Sequence, residues 1–259
     1  MSAQAATAGP GAGSLDVWKT ALSEAASVLA RFLKDRRQLE RCVAFTDLVA
    51  ATIAAGGRVL TCGNGGSHCD ALHFAEECTG RYREARPPLG ALALGEAAHV
   101  TCVANEYGFD YVFSRQVEAL GRPGDLLIVF STSGRSRNIV LAMETARRNG
   151  LRTVALLGVD GGVLEDEADL TIAVPARTAD RVQEMHLKIV HAVIEAVERR
   201  LFPDEDAGRA RHDTALPPGD RHRRCDARHS LPTAGARSSA ARSSPSGWEE
   251  EPGRPRWPS

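Results

Sequence analysis

The chain has 259 residues, of which 43% are hydrophobic, and its formal net charge is −1 at pH 7. This composition suits one globular α/β domain, and the near-neutral charge argues against a nucleic-acid partner. No segment approaches the roughly 20 apolar residues of a membrane-spanning helix, and the first 14 residues show no secretory signal. We therefore expect a cytoplasmic protein without a membrane partner.

The two ends of the chain differ in composition from its middle. Residues 1–14 are small and polar, and residues 204–259 contain no Ile, Val, Phe, Tyr or Met. Such segments cannot bury enough apolar surface to offset the loss of chain entropy on folding. The sequence therefore predicts a disordered N-terminus (1–14), a folded domain over residues 15–203, and a disordered tail rich in Pro, Arg and Ser (204–259).

Helical and strand patterns alternate through the middle of the chain. Two amphipathic segments come first, and five short, nearly continuous apolar runs follow, separated by helical segments. The apolar runs are 58–62, 89–94, 125–131, 152–158 and 169–175, and the helical segments are 15–34, 38–54, 67–80, 109–120, 137–149 and 180–200. Continuous apolar strands are typical of parallel sheets buried on both faces. The pattern predicts an α/β fold with a doubly wound five-stranded parallel sheet flanked by helices, with N-terminal helices and a long C-terminal helix.

The first predicted strand is followed by the glycine-rich stretch CGNGGSH (62–68). Ligands of doubly wound folds bind at the carboxyl ends of strands, near the point where the strand order reverses. Gly65 and Gly66 lack side chains where the next helix begins, so a ligand oxygen can approach backbone N–H groups there. The stretch lacks the dinucleotide and Walker spacings, and an ordinary strand-to-helix turn explains the same residues.

The third predicted strand ends in STSGRS (131–136), which has four hydroxyl side chains in six residues. Hydroxyls and unpaired N–H groups at a helix N-terminus form a cradle for phosphate. The alternative is a polar loop that only caps the helix. Since no acid suited to Mg²⁺ lies nearby in sequence, the loop favours binding of a phosphate monoester over phosphoryl transfer.

His73 and Glu77 are four residues apart on a predicted helix and therefore share one face. Such a pair can supply two ligands to one metal, although an exposed polar stripe or an intrahelical hydrogen bond is the alternative. In the last predicted helix, Gln183 and His191 lie about 12 Å apart along the axis, so their side chains can meet at a common point. His186 is interpreted as a solvated or hydrogen-bonded histidine.

Five motifs, in this order, resemble those of the phosphoheptose isomerase family of sugar-isomerase (SIS) domain proteins. They are GNGGSHCDALHFAEE, TGRYRE, ANEYGF, STSGRS and DRVQEMHLKIVH, within a resemblance that spans about residues 16–202. The resemblance implies conversion of D-sedoheptulose 7-phosphate to D-glycero-D-manno-heptose 7-phosphate through an enediol, as the first step of nucleotide-heptose (ADP-heptose) biosynthesis. It also implies a homotetramer with active sites near subunit interfaces and one Zn²⁺ per subunit.

The same resemblance implies roles for individual residues. The implied base is Glu77 and the implied acid is His191. The implied zinc ligands are His73, Glu77, Gln183 and His191. The implied substrate-binding residues are Asn64, Gly65, Gly66, Glu77, Asn105, Glu106, Ser131, Thr132, Ser133, Ser136 and Gln183. Glu106 departs from the family pattern, which has Asp there, so its sugar-hydroxyl contact is in question.

One alternative is a different SIS isomerase or a related ketose phosphate as substrate, which would share the STSGRS loop and differ in the sugar contacts. The other is a non-catalytic SIS protein, either a phosphosugar-binding regulator or a protein associated with a replication initiator. Such a protein would retain the phosphate loop but would not need all four zinc ligands. Because the chain has all four, the sequence favours the enzyme.

Overall fold

The computed structural model describes residues 12–83 and 85–203. The predicted tail (204–259) and residues 1–11 of the predicted N-terminus lie outside the described residues. The helices are α1 (Ala12–Lys34), α2 (Arg36–Ala54), α3 (Gly66–Thr79), α4 (Ala97–Glu106), α5 (Ser114–Leu120), α6 (Arg137–Arg148), α7 (Leu164–Glu167) and α8 (Ala179–Leu201). The strands are β1 (Val59–Gly63), β2 (Ala91–Ala93), β3 (Leu126–Ser131), β4 (Arg152–Leu157) and β5 (Leu170–Ala173).

The five strands form one parallel sheet with the order β2-β1-β3-β4-β5. β1 pairs with β2 on one side and with β3 on the other. The order of the strands therefore reverses between β1 and β3, and a crevice opens there at their carboxyl ends. The predicted doubly wound five-stranded parallel sheet is confirmed.

Helices cover both faces of the sheet, which explains why its strands are apolar throughout. All residues of β1 and β3 are buried. Phe130 and Ile128 of β3 belong to a core shared with α1, α2, α3 and α8, whereas Leu127 and Val129 face a second core shared with α4, α5, α6 and α7. The helices α3 and α8 therefore lie on the same face of the sheet, with Phe74 and Val190 in one core.

Some elements differ from the sequence predictions. The predicted helix 109–120 is divided into a 3₁₀ turn (Phe109–Tyr111) and α5, and β2 has only three residues. The helix α4 was not predicted because it buries only Val103 and so lacks an apolar stripe; the Glu96 side chain caps it by accepting from two backbone N–H groups. The short α7 was also not predicted.

No helix within the described ranges is both long and apolar enough to cross a membrane. The cytoplasmic location stays a prediction.

Candidate active site

A histidine and a glutamate of α3 meet a histidine of α8. His73 Nε2 is 2.9 Å from His191 Nε2 and 3.2 Å from Glu77 Oε1. His191 Nε2 is 3.9 Å from the same Glu77 oxygen. Three of the four implied zinc ligands therefore converge, although His73 and His191 are 118 residues apart in sequence. We call His73, Glu77 and His191 the His–Glu cluster.

The His–Glu cluster has donor atoms and spacings suited to Zn²⁺. Imidazole nitrogens and carboxylate oxygens are common zinc ligands, and tetrahedral bonds of about 2.0–2.1 Å place the donors about 3.3 Å apart. The three donor–donor distances of 2.9, 3.2 and 3.9 Å lie on either side of that value. Within the described ranges, no other group of three His, Cys, Asp or Glu side chains has this arrangement.

The His–Glu cluster is partly shielded from water. The Glu77 side chain exposes 14% of its surface, and the two histidines expose 38% each. The ring of Tyr82 lies 5.8 Å from that of His191, and the Arg83 guanidinium lies over Tyr82. Burial and the nearby His73 lower the pKa of His191, whereas Glu77 raises it. The neutral imidazole, which both donates and accepts one hydrogen bond, is therefore favoured at His191.

Gln183 lies at the opposite end of α3 from Glu77. Its Nε2 is 3.5 Å from Ser67 Oγ, and a β-carbon at Gly66 would lie 2.5 Å from Gln183 Oε1. Gly66 therefore leaves space for this amide. Among the contacts between described residues, none joins Gln183 to the His–Glu cluster, and its role as a fourth zinc ligand stays a prediction.

Paired amides join the loop after β1 to the start of α6. Asn64 Nδ2 donates to Asn138 Oδ1 (2.9 Å), and Asn138 Nδ2 donates to Asn64 Oδ1 (2.8 Å). Gly65 precedes α3 with a φ of +56°, which a residue with a side chain rarely adopts. The two loops that follow β1 and β3 are therefore held together beside the crevice.

The STSGRS stretch, which we call the serine loop (131–136), surrounds the N-terminus of α6. Ser131 Oγ accepts a hydrogen bond from Gly134 N, and Ser133 Oγ accepts one from Arg135 N. Each of these hydroxyls retains its own proton for donation to a ligand. Ser136 lies at the N-cap of α6 without a side-chain capping bond. The serine loop can therefore offer hydroxyl donors to an anion where the helix dipole also favours negative charge.

The segment after β4 supports the serine loop through backbone contacts. Gly158 N donates to Thr132 O (3.2 Å), and Leu164 N donates to Gly134 O (3.3 Å). Gly134 has a φ of +62°, and a β-carbon there would lie 1.8 Å from Gly161 O. Only glycine fits at this position, so the backbone of the neighbouring segment fixes the shape of the serine loop.

Asn105 and Glu106 lie at the C-terminal end of α4. Both are exposed, and Asn105 Nδ2 donates to Glu106 Oε1 at 2.7 Å. None of the contacts described for them reaches the His–Glu cluster or the serine loop. Their implied role in substrate binding stays a prediction.

His186 is buried and hydrogen-bonded, which is the second of the two interpretations given for it. Its side chain is fully buried, with Nδ1 4.0 Å from Asp70 Oδ2 and Nε2 3.5 Å from Leu157 O. Burial lowers the pKa of His186 to about 4. Burial also raises the pKa of Asp70 to about 6, against a smaller opposite effect of His73. The interface between α3 and α8 therefore contains a buried acid–imidazole pair whose charged forms are both disfavoured.

Tyr82 and Arg86 are further residues at the site that the sequence did not single out. Tyr82 packs on His191, and Arg86 donates a hydrogen bond to the backbone carbonyl of Glu77. Both lie in the irregular segment after α3, where no periodicity indicates which side chains turn inward. The GRYRE motif was the one sequence signal for Tyr82, and Arg86 lies beyond that motif.

The parallel sheet, the serine loop beside its crevice and the His–Glu cluster define an α/β protein of the SIS class. The SIS domain family model matches residues 22–158. Phosphoheptose isomerases of Yersinia pestis (strain Pestoides F) and Yersinia enterocolitica are each 50% identical to the chain over 187 residues, which is 72% of this chain and 97% of each relative.

Solved structures agree with this assignment. A phosphoheptose isomerase from Francisella tularensis superposes with a TM-score of 0.68 at 33% identity, covering 72% of this chain and 98% of that one. The phosphoheptose isomerase from Neisseria gonorrhoeae has a TM-score of 0.67 at 35% identity, covering 71% and 98%. The chain belongs to the phosphoheptose isomerase family of SIS domain proteins, and the prediction that it is an enzyme is confirmed.

Proposed function

We propose that the chain converts D-sedoheptulose 7-phosphate to D-glycero-D-manno-heptose 7-phosphate, the first step of nucleotide-heptose biosynthesis such as that of ADP-heptose. The observation that carries the proposal is the convergence of Glu77 and His191, from two distant helices, into one partly shielded cluster. The names of the relatives and solved structures described above support the substrate class. The serine loop supplies hydroxyl donors suited to the 7-phosphate.

In this proposal Glu77 acts as the base at carbon. It takes a proton from C1 of the ketose and returns it to C2 through a cis-enediol. His191 acts on the oxygens: its imidazole donates a proton to O2 and accepts one from O1. A neutral imidazole can do both, and the lowered pKa of His191 is consistent with that form.

The same cluster would hold Zn²⁺ through His73, Glu77 and His191, with Gln183 as the proposed fourth ligand. Bound zinc would act as a Lewis acid that polarises the substrate carbonyl. A carboxylate oxygen that ligates a metal does not accept a proton at the same time. The second carboxylate oxygen of Glu77 would remain available as the base while the first oxygen holds the metal.

We further propose a homotetramer with active sites near subunit interfaces. On α1, the apolar side chains Leu15, Val17, Trp18 and Leu22 are exposed. An apolar groove of about 370 Å³ lies between α1, α2 and α8. Surfaces of this kind mark contacts with other chains. In this tetramer the exposed side chains of Asn105 and Glu106 would reach the site of a neighbouring subunit.

The test is to incubate the purified protein with sedoheptulose 7-phosphate and to follow formation of the aldose by NMR. Zinc content by mass spectrometry and oligomeric state by light scattering complete the measurement. We expect turnover by a tetramer with about one zinc per chain. Binding of the sugar phosphate without turnover would favour the alternative of a non-catalytic SIS regulator and contradict the proposal.

A further inference from the structure

A buried arginine connects the two helices that carry the His–Glu cluster. The side chains of Arg86 and Glu198 expose 0% and 1% of their surfaces, and Arg86 Nε donates to Glu198 Oε1 at 2.7 Å. Arg86 follows the C-terminus of α3, whereas Glu198 lies on α8. The pair therefore fixes the segment after α3 to α8.

The same guanidinium also contacts the backbone of α3, the helix that carries His73 and Glu77. Arg86 Nη2 donates to Glu77 O at 2.5 Å, and Arg86 Nη1 donates to Cys78 O at 2.6 Å. Both carbonyls lie in the last turn of α3, where intrahelical partners are missing and a positive charge is favoured. Arg86 therefore binds the backbone carbonyl of Glu77, the residue proposed as the base.

Glu198 connects this contact to the other half of the cluster. It lies seven residues after His191 on α8, so the two side chains lie on the same side of the helix, two turns apart. The guanidinium therefore holds the backbone of Glu77 and the face of α8 that presents His191. A shift of either helix would break at least one of these hydrogen bonds.

We propose that Arg86 is a positioning residue that keeps Glu77 and His191 in register for proton transfer and metal binding. The inference rests on the proposed function. Arginine is required at this position because a planar guanidinium reaches the Glu198 carboxylate and the carbonyls of Glu77 and Cys78 in fixed directions, whereas the ammonium of lysine is a point charge on a flexible chain. Arg86→Lys preserves the charge and removes that geometry.

The chain offers a control with similar contacts at the opposite end of the sheet, where the Arg58 side chain is 37% exposed. Arg58 Nη2 donates to Asp125 Oδ2 (2.9 Å) and to Leu120 O (2.6 Å), so it also joins a carboxylate and a carbonyl at a helix C-terminus. It lies just before β1, at the end of the sheet away from the crevice. Arg58→Lys makes the same chemical change, but the contacts that it removes do not involve α3 or α8.

The experiment compares both variants with the wild-type protein, in turnover and in zinc affinity measured against a chromogenic chelator. Arg86→Lys should lower kcat and zinc affinity each by about 10- to 100-fold, as loss of a supporting partner of a metal ligand does. The KM for sedoheptulose 7-phosphate should stay within about twofold, since the serine loop is unchanged. Arg58→Lys should leave all three values near those of the wild type, even where both variants melt at a lower temperature.

Glu198→Gln gives a second variant, which keeps an acceptor oxygen for Arg86 but removes the charge, and it should show a smaller loss in the same direction. If Arg86→Lys does not fold, the same measurements on Glu198→Gln test the proposal. A wild-type kcat and zinc affinity in a folded Arg86→Lys protein would overturn the inference, as would equal losses in Arg58→Lys. Loss of fold in both Arg86→Lys and Glu198→Gln would also overturn it, because the pair would then be a general stability element. Failure of the wild type itself to isomerise the substrate would instead contradict the proposed function.

Discussion

The His–Glu cluster and the serine loop are built in opposite ways. The serine loop is six consecutive residues at one strand end, and its shape depends on backbone contacts with the segment around Gly158 and Gly161. The cluster is assembled from side chains of two helices whose sequences are far apart. The loop offers hydroxyls and N–H groups suited to holding an anion, whereas the cluster offers groups that exchange protons or ligate a metal.

This difference predicts that substitutions in the two regions affect different steps, either the binding of substrate or its chemical conversion. Changes in the cluster should lower kcat and leave the affinity for phosphate intact. Changes in the serine loop should raise KM and leave kcat nearly unchanged. Two regions that are structurally independent in this way can be tested by single substitutions.

The largest effect is expected from Glu77→Gln, which removes the proposed base and keeps the size of the side chain. Proton transfer by a positioned group contributes about 10²–10⁴-fold, so kcat should fall by that factor. His191→Gln should cause a comparable loss. Turnover of sedoheptulose 7-phosphate followed by NMR measures both, with the affinity for the phosphate measured separately by calorimetry.

The control for this prediction is Glu76→Gln, on the next residue of the same helix. Glu76 is exposed and is not one of the three cluster residues, so its substitution should leave kcat unchanged. Wild-type turnover in both Glu77→Gln and His191→Gln would contradict the proposed mechanism. Loss of phosphate affinity in these variants would contradict the separation between cluster and loop.

A second prediction concerns the interface beneath the cluster, where Asp70 and His186 affect stability in opposite directions. The folded pKa of His186, about 4, lies below its usual 6.5, so its contribution to stability is lost as pH falls through that interval. The folded pKa of Asp70, about 6, lies above its usual 3.8, so its contribution is gained as pH falls from about 6 to 4. In the wild type the two effects largely cancel.

Asp70→Asn should remove that compensation. Between pH 6.5 and 4, the free energy of unfolding of this variant should fall by about 2–3 kcal/mol more than that of the wild type, from the two-unit shift of the Asp70 pKa. Urea denaturation followed by circular dichroism measures it. In His186→Gln, the free energy of unfolding should instead rise relative to that of the wild type over the same pH interval. Parallel pH profiles for the wild type and Asp70→Asn would show that the pair does not titrate as described.

The same contrast between local and distant assembly explains what the sequence could reveal. The serine loop was predictable because its four hydroxyls lie within six consecutive residues and follow an apolar run that indicates a buried strand. The spacing of His73 and Glu77 indicated one shared helix face, and the strand–helix alternation predicted the sheet. Each of these features depends on neighbours within about one helical turn or one strand.

Features that depend on tertiary packing could not be predicted from neighbouring residues in the sequence. His191 and His186 are both histidines of α8, yet one joins the cluster and the other is buried against Asp70. Periodicity alone does not decide between them, because the choice depends on how α8 is rotated against α3. Arg86 lies in an irregular segment, so its burial follows only from the position of Glu198. Helix spacing and the family resemblance together indicated His191, and only the structure supplied Arg86.

The smallest expected effect is that of Ser136→Ala, which tests the serine loop directly. Ser136 makes no side-chain capping bond to α6, so its hydroxyl is available to the substrate phosphate. A hydrogen bond to a charged group contributes about 1.5–3 kcal/mol, and we expect KM to rise by about tenfold while kcat changes less than twofold. Ser114→Ala is the control outside the serine loop: Ser114 lies at the start of α5 and donates its hydroxyl to Tyr111 O, so its substitution should leave KM unchanged. If Ser136→Ala lowers kcat and leaves KM unchanged, the loop takes part in the chemical step and the two regions are not independent.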